Sequence, residues 1–129
     1  MTSVVKTVLV EHSSKQMFDL VDQVEHYPEF LPWCDKTTII AREDNALTAS
    51  IHINFHHLQH AFTTHNTYTS HSDHPHKDIH IRLVEGPFKS LEGCWIFLPL
   101  GDKACKIQFE LHYEFSSKIL EKLVGGLFQ

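Results

Sequence analysis

The sequence contains few of the residues that staple or interrupt a fold: three cysteines, five glycines and five prolines. Cys34, Cys94 and Cys105 are far apart and odd in number, which excludes a disulfide framework and a cysteine-based zinc motif. No apolar run approaches the ~20 residues of a membrane span. The amino terminus has neither the regions of a signal peptide nor the arginines of a transit peptide. We therefore expect a cytoplasmic globular domain with reduced thiols.

Positive charge is also scarce, because 11 Lys and Arg stand against 16 Asp and Glu, giving a formal net charge of −5. Such a chain has no general electrostatic footprint for phosphate backbones, so DNA is not an expected partner. The acidic balance depends on pH, because protonation of several of the twelve histidines near pH 6 would move the net charge toward zero or above. Motifs of nucleophilic, zinc-dependent and phosphate-binding enzymes are missing, so no enzyme is indicated.

The first part of the chain has the pattern of a strand followed by a helix. Residues 3–12 alternate as a strand, and Ser13 and Gln16 form a capping box before a helix over residues 14–24. The next stretch, Val24 to Cys34, is unusually apolar for a connection. Pro28 and Pro32 leave room for a short helical turn between them.

The rest of the chain alternates with period two, which predicts strands over 37–42, 47–55, 62–70, 79–83, 91–98 and 107–115. Polar turns are predicted near His57–Gln59 and at His71–Pro75. Ser116 or Ser117 caps a last helix, whose apolar stripe is Ile119, Leu120, Leu123, Val124 and Leu127. Short connections between successive strands indicate an antiparallel meander in an α+β domain, with helices covering its apolar face.

Four blocks in this order resemble one family. They are Tyr27–Cys34, Leu83–Leu91, Trp95–Leu100 and Cys105–Lys118. On these blocks the chain resembles the START-like, helix-grip proteins of the polyketide cyclase/dehydrase superfamily, in the branch of coenzyme-Q-binding proteins and ribosome association toxins. The resemblance implies a START/Bet v 1-like fold: two short helices after the first strand, and a curved antiparallel sheet of about seven strands around a C-terminal helix. The family's last helix runs about four turns further, so we expect a single domain over 1–129 with that helix cut short.

The resemblance implies two functions. The first, which we expect here, is non-enzymatic binding of a hydrophobic isoprenoid, above all ubiquinone, by a carrier or chaperone that supports respiration. It involves no cofactor beyond that bound quinone, and transient contact with the inner membrane surface. The alternative is a type II toxin that binds the large ribosomal subunit and blocks subunit association. A third hypothesis, a cyclase-like enzyme, needs an ionisable group buried in the cavity.

The stretch from Val24 to Cys34 has two interpretations in such a fold. Tyr27, Phe30, Leu31 and Trp33 can form a preorganised lid at the mouth of an apolar cavity, stiffened by the prolines. Alternatively, Phe30 and Leu31 simply plug the end of the core, as buried aromatic and aliphatic residues often do. The residues alone leave both interpretations open.

The strands supply the candidate walls of the cavity. Phe88, Leu91, Trp95 and Phe97 form a second wall or ordinary sheet core, and Gly93 could leave space for a ligand tail. Phe109, Leu111 and Tyr113 lie on one strand face, where core is the better interpretation. The complete set of predicted ligand contacts is Tyr27, Phe30, Leu31, Trp33, Phe55, Phe62, Tyr68, Leu83, Phe88, Leu91, Trp95, Phe97, Phe109 and Leu111.

Polar groups offer three further candidates. Tyr68, His65, Tyr27 and Trp33 are possible hydrogen-bond donors to a quinone head. The histidines between His52 and His80 suggest a metal site, but solvated strand-face histidines are the better interpretation, because structural zinc usually recruits cysteine or carboxylate; no metal is expected. A basic patch for ribosomal contact could form from Lys89, Lys103, Lys106, Lys118 and Lys122.

Overall fold

A computed structural model describes residues 2–55, 58–69 and 78–124. One curved antiparallel sheet contains seven strands, and the helices are short, which confirms the predicted α+β class. The strands are β1 (Thr2–Val10), β2 (Cys34–Glu43), β3 (Ala46–Phe55), β4 (Leu58–Thr69), β5 (Asp78–Glu85), β6 (Phe88–Pro99) and β7 (Cys105–Phe115). The helices are α1 (Ser14–Asp22), a 3₁₀ segment (Val24–Glu29) and α2 (Lys118–Val124).

The strand order in the sheet is β1-β7-β6-β5-β4-β3-β2, with every neighbouring pair antiparallel. Strands β2 to β7 form the predicted meander, in which each strand pairs with the next. The first strand instead pairs with the last, in a register that joins Thr2 to Tyr113 and Val10 to Cys105. The two edge strands of the sheet are therefore β1 and β2.

The predicted start of α1 is confirmed by its capping box. Ser13 Oγ accepts a hydrogen bond from the Gln16 backbone N–H at 3.1 Å, and the Ser13 N–H donates to Gln16 Oε1 at 2.9 Å. The helix ends at Asp22, two residues earlier than predicted. The expected second short helix is present as the 3₁₀ segment, but it begins before the two prolines instead of lying between them. It contains Pro28, whose fixed φ suits a 3₁₀ helix.

Strand pairing extends several strands beyond their predicted ends. β4 begins at Leu58, so Leu58 and Gln59 pair with β3 instead of forming a turn. β2 begins at Cys34 and continues through two irregularities in its register with β3. The predicted turns at His57 and His71–Pro75 lie outside the described residues. Ladder hydrogen bonds between neighbouring strands extend the strands where local propensity is weak.

The inner face of the sheet holds the core. One cluster joins Ile79, Phe97, Cys105 and Ile107 to the apolar face of α1, and a second gathers around Phe88, Leu91, Tyr113 and Phe115. Leu120 of α2 packs against the second cluster. Ser117 Oγ accepts a hydrogen bond from the Leu120 N–H at 3.2 Å, which selects Ser117 over Ser116 as the cap.

The predicted continuation of the α2 stripe to Leu127 lies outside the described residues. In the part of the chain that the structure describes, no helix has the length and apolar character needed to cross a membrane.

Candidate functional site

A cavity of about 430 Å³ lies between the inner face of the sheet and the N-terminal helical region. Its volume falls within the ~300–1,000 Å³ range of small-molecule sites. Side chains from α1, the 3₁₀ segment, the following loop and five strands line it. They are Met17, Leu20, Val21, Val24, Tyr27, Phe30, Leu31, Trp33, Ala49, Ile51, Phe62, Thr64, Asn66, Ile79, Ile81, Leu91, Trp95, Ile107, Phe109 and Leu111. The lining is apolar except at Tyr27, Thr64, Asn66 and the tryptophan N–H groups.

Most of the predicted ligand contacts lie in this lining. They are Tyr27, Phe30, Leu31, Trp33, Phe62, Leu91, Trp95, Phe109 and Leu111. Phe30 is 50% exposed although it lines the cavity, so it lies at the rim and is not a buried plug. Its ring contacts Tyr27 edge-on with 5.8 Å between centroids. The stretch from Val24 to Cys34 thus forms one side of the cavity entrance.

Four predicted contacts lie in other positions. Phe97 is completely buried beneath Phe18 of α1, and Phe88 stacks on Phe115 with 4.9 Å between ring centroids, so both belong to the core. Leu83 packs beside the Phe88 cluster, and Tyr68 is turned toward α1. Period two fixes the face of a side chain but not its distance from the helices, and strands here continue beyond the cavity. The Phe55 side chain lies outside the described residues.

Both tryptophans face the cavity. Trp95 lies against Phe109 with 4.3 Å between ring centroids, and Trp33 packs against the core cluster around Phe88. The chain has two tryptophans. Because both line the cavity, their fluorescence should respond to a ligand bound there.

A polar network holds the end of α1 against the sheet. Asp22 Oδ2 accepts a hydrogen bond from Arg42 Nη1 at 3.1 Å, and its Oδ1 accepts one from the Tyr68 hydroxyl. Arg42 Nη2 also donates to Glu25 Oε2 at 3.2 Å. Desolvation by burial, followed by the bond to Asp22, raises the pKa of Tyr68. Tyr68 therefore remains protonated and engaged at neutral pH, and does not serve as a donor to a ligand.

The cavity carries little acid–base chemistry. Tyr27 is the single titratable residue among the described residues that line it. Its hydroxyl donates to the Val21 carbonyl, and its burial raises its pKa, so it stays neutral. No described carboxylate, histidine or lysine lines the wall. The arrangement suits binding of an apolar molecule better than proton transfer.

Sequence reasoning missed two groups of lining residues besides the aliphatic strand residues Ala49, Ile51, Ile79, Ile81 and Ile107. The first is the apolar face of α1 together with Val24. The helical spacing of these residues shows that they share one face of the helix, but not that this face lines a cavity. The second is Thr64 and Asn66, which share the inner face of β4 with Phe62. The sequence contained a signal for them, because polar residues that share a strand face with buried apolar residues are unusual.

Gly93 does not provide space for a ligand tail as proposed from the sequence. A Cβ at this position would lie 2.3 Å from the backbone oxygen of Glu110 and 3.0 Å from a methyl group of Leu111. Gly93 is therefore needed where the backbones of β6 and β7 approach each other closely.

The outer face of the sheet is polar. An open groove of about 500 Å³ there includes His65, Arg82, Glu92, Glu110 and His112 in its lining. His65 Nδ1 is hydrogen-bonded to Thr48 Oγ1 at 2.8 Å on this face, so His65 is not a donor to the cavity. Within residues 2–55, 58–69 and 78–124, no three His, Cys, Asp or Glu side chains are grouped to hold a metal ion.

The three cysteines are free thiols. Cys34 and Cys105 are buried, and burial raises the pKa of each, so both remain protonated at neutral pH. Cys94 lies in the outer groove, and its pKa is also raised by burial. None of the three has the lowered pKa of a reactive nucleophile.

The five lysines proposed as a basic patch separate into two groups. Lys103 and Lys106 lie at or just before the start of β7. Lys89 and Lys118 lie at its other end beside Glu114 and Glu121, and Lys122 follows in α2. β7 has 11 residues, so the two groups are roughly 30 Å apart. Lys89 also forms an ion pair with Glu114 at 3.6 Å. A single C-terminal basic cluster does not form.

Comparison with known sequences identifies the chain's relatives. Residues 10–129 match the family described as polyketide cyclase / dehydrase and lipid transport. The chain is 40% identical to the ribosome association toxin RatA of Vibrio cholerae and 38% identical to that of Escherichia coli K12. The alignments cover 99% and 100% of this chain, and 85% and 78% of those proteins. A coenzyme Q-binding protein COQ10 homolog B from Xenopus laevis is 24% identical over 90% of this chain and 47% of that protein.

Solved structures have a similar fold. The protein CC1736 of Caulobacter crescentus is 29% identical with a TM-score of 0.72, over 99% of this chain and 86% of that one. The Zhui aromatase/cyclase of Streptomyces sp. R1128 has a TM-score of 0.78 over 97% and 85% of the chains, but at 14% identity it shows the fold alone. The chain therefore belongs to the START-like polyketide cyclase/dehydrase and lipid transport family, in the branch that contains ribosome association toxins and coenzyme-Q-binding proteins.

Proposed function

We propose that this protein associates with the ribosome, binding the large subunit and preventing it from joining the small one. The observation that carries the proposal is the 40% identity to a ribosome association toxin over 99% of the chain. This reverses the order expected from the sequence, where quinone binding came first, because the coenzyme-Q-binding relative is only 24% identical.

The electrostatics favour a local contact instead of a broad one. A formal net charge of −5 opposes wide contact with ribosomal RNA. The two lysine groups at opposite ends of β7 are then the candidate contact points, and either one would form a small basic area on an acidic protein.

Sedimentation of purified ribosomes at fixed magnesium tests the proposal. Adding the protein should move material from assembled ribosomes to free subunits, with the protein travelling on the large subunit. Charge reversal at the contact end, K89E/K118E or K103E/K106E, should abolish the shift, and the other pair serves as its matched control. Unchanged profiles at saturating protein would refute ribosome association.

A second candidate function is non-enzymatic binding of an apolar molecule such as ubiquinone. The cavity of about 430 Å³ favours it, because the lining is almost entirely aliphatic and aromatic and Phe30 lies at the rim. Each methylene transferred from water to such a wall contributes about 0.8 kcal/mol, so an isoprenoid tail needs few polar contacts. The scarcity of titratable groups in the lining supports binding without catalysis.

Solvent extraction of the protein purified from its own cells, followed by mass spectrometry, tests this candidate. We expect one hydrophobic compound at near-stoichiometric amount, and less of it from a Phe30→Asp variant, which places a charge at the cavity rim. Val84→Asp, at a comparably exposed apolar site outside the cavity lining, is the control and should retain the compound. An empty extract, still empty after incubation with ubiquinone, would count against the candidate.

A further inference from the structure

We propose that Asn66 and Thr64 form a polar recognition point in the cavity, selecting an apolar ligand whose head donates a hydrogen bond: a hydroxyl, as in an alcohol or a reduced quinol. The inference rests on the second candidate function, since it specifies the ligand class of the same cavity. Neither residue was among the ligand contacts expected from the sequence.

Asn66 is placed on the cavity wall by the sheet. It pairs with Leu47 of β3 on one side and with Ile81 of β5 on the other. Leu47 is completely buried, and Ile81 lines the cavity beside Asn66. The amide therefore stands between aliphatic neighbours, without an adjacent cross-strand polar group.

The Oδ1 atom of Asn66 is shielded from solvent and receives no hydrogen bond from the described residues. A buried acceptor without a partner is costly, and such groups are rare in folded proteins. Because Oδ1 is itself shielded, the proposal requires the side chain to rotate about its Cβ–Cγ bond so that the amide oxygen faces the cavity. A donor on a bound ligand would then provide the missing hydrogen bond.

Thr64 extends this point along β4. It lies two residues before Asn66 on the same strand face, lines the cavity and is 5% exposed. Its hydroxyl can both donate and accept, so a ligand hydroxyl between the two residues can donate to Asn66 and accept from Thr64. An ether or a quinone carbonyl has no proton to donate and leaves the amide oxygen unpaired.

The recognition point lies apart from the other polar groups of this region. Tyr27 and Tyr68 already donate to the Val21 carbonyl and to Asp22. Asn66 and Thr64 are the remaining polar side chains of the described lining, apart from the tryptophan N–H groups. The residues that would select the ligand head therefore both lie on β4.

A matched pair of probes tests the inference, with tryptophan fluorescence as the readout because Trp33 and Trp95 both line the cavity. The probes are dodecan-1-ol and its isostere methyl undecyl ether, each titrated from cyclodextrin. We expect the alcohol to bind about fivefold more tightly to the native chain, the gain of one net hydrogen bond. Asn66→Leu should reduce this ratio to near one while keeping ether binding. Ile51→Leu, an apolar change in the same lining, should leave the ratio unchanged.

The outcomes separate the two levels of the argument. Equal affinities of the native chain for the two probes would overturn the role of Asn66 and leave the apolar ligand function standing. No fluorescence change with either probe would overturn both. The comparison of probes on the native chain needs no variant, so it decides the question even if Asn66→Leu does not fold. A persistent preference for alcohol in a folded Asn66→Leu variant would also overturn the inference.

Discussion

Replacing Phe97 with alanine is expected to lower the free energy of unfolding by about 3–5 kcal/mol. Phe97 has no exposed surface, contacts Phe18 edge-on with 5.7 Å between ring centroids, and stacks on Trp95. Truncation removes a whole ring from a closed site between β6 and α1, where neighbours can collapse only partly. Since small domains have about 5–15 kcal/mol in total, the variant should be marginal at best.

Phe30→Ala is the matched control for this prediction, because it deletes the same atoms at a half-exposed position. It loses one edge-on contact with Tyr27, so we expect a cost of about 1 kcal/mol. Urea unfolding followed by circular dichroism measures both variants, and similar m-values would show that the comparison is of stability alone. A loss for Phe97→Ala no greater than that for Phe30→Ala would contradict the placement of Phe97 in the core.

Gly93→Ala is expected to cost about 3 kcal/mol or more, although it adds a single methyl group. The new Cβ would overlap the Glu110 carbonyl oxygen, at 2.3 Å, so β6 and β7 would have to separate where Gly93 pairs with Leu111. Backbone atoms in a ladder cannot rotate away as a flexible side-chain end can. The cost should therefore appear as weakened pairing between β6 and β7.

Gly101→Ala provides the comparison. Gly101 also disfavours a side chain, because its φ is +99°, but nothing lies within 4 Å of the added Cβ. We expect backbone strain of about 1–2 kcal/mol and no loss of strand pairing. Hydrogen exchange of the β6 and β7 amides distinguishes the two variants: protection should fall in Gly93→Ala and persist in Gly101→Ala. Unchanged protection in folded Gly93→Ala would contradict the proposed close approach.

The predictability of this fold from sequence differs between elements. β7 and the start of α1 were predicted closely, because regular alternation and a capping box are local signals. The start of β4 at Leu58 was missed, since a pairing strand, not the segment's own propensity, holds Leu58 and Gln59 in the ladder. The 3₁₀ segment was misplaced for a similar reason: prolines restrict the backbone but do not fix where a helical turn begins.

The site was less predictable than the fold. The aromatic residues and their period-two spacing predicted Trp33, Trp95 and Phe109 as ligand contacts. The same pattern could not distinguish these cavity-lining residues from Phe88 and Phe97, which lie in the core. That distinction depends on where α1 ends its contact with the sheet, which is a property of packing between distant segments. Asn66 was overlooked because a search for aromatic lining ignores the rare polar residue on a buried face.

The pairing of β1 with β7 has a consequence for how the protein is made. Its register joins Thr2 to Tyr113, so residues far apart in the sequence must meet before the sheet is complete. During synthesis β1 emerges first and cannot find its partner until the last strand has emerged. The meander from β2 to β7 can form stepwise from neighbouring hairpins, but its final strand stays an open edge until β1 docks. The sheet can therefore be completed only after β7 has been synthesised.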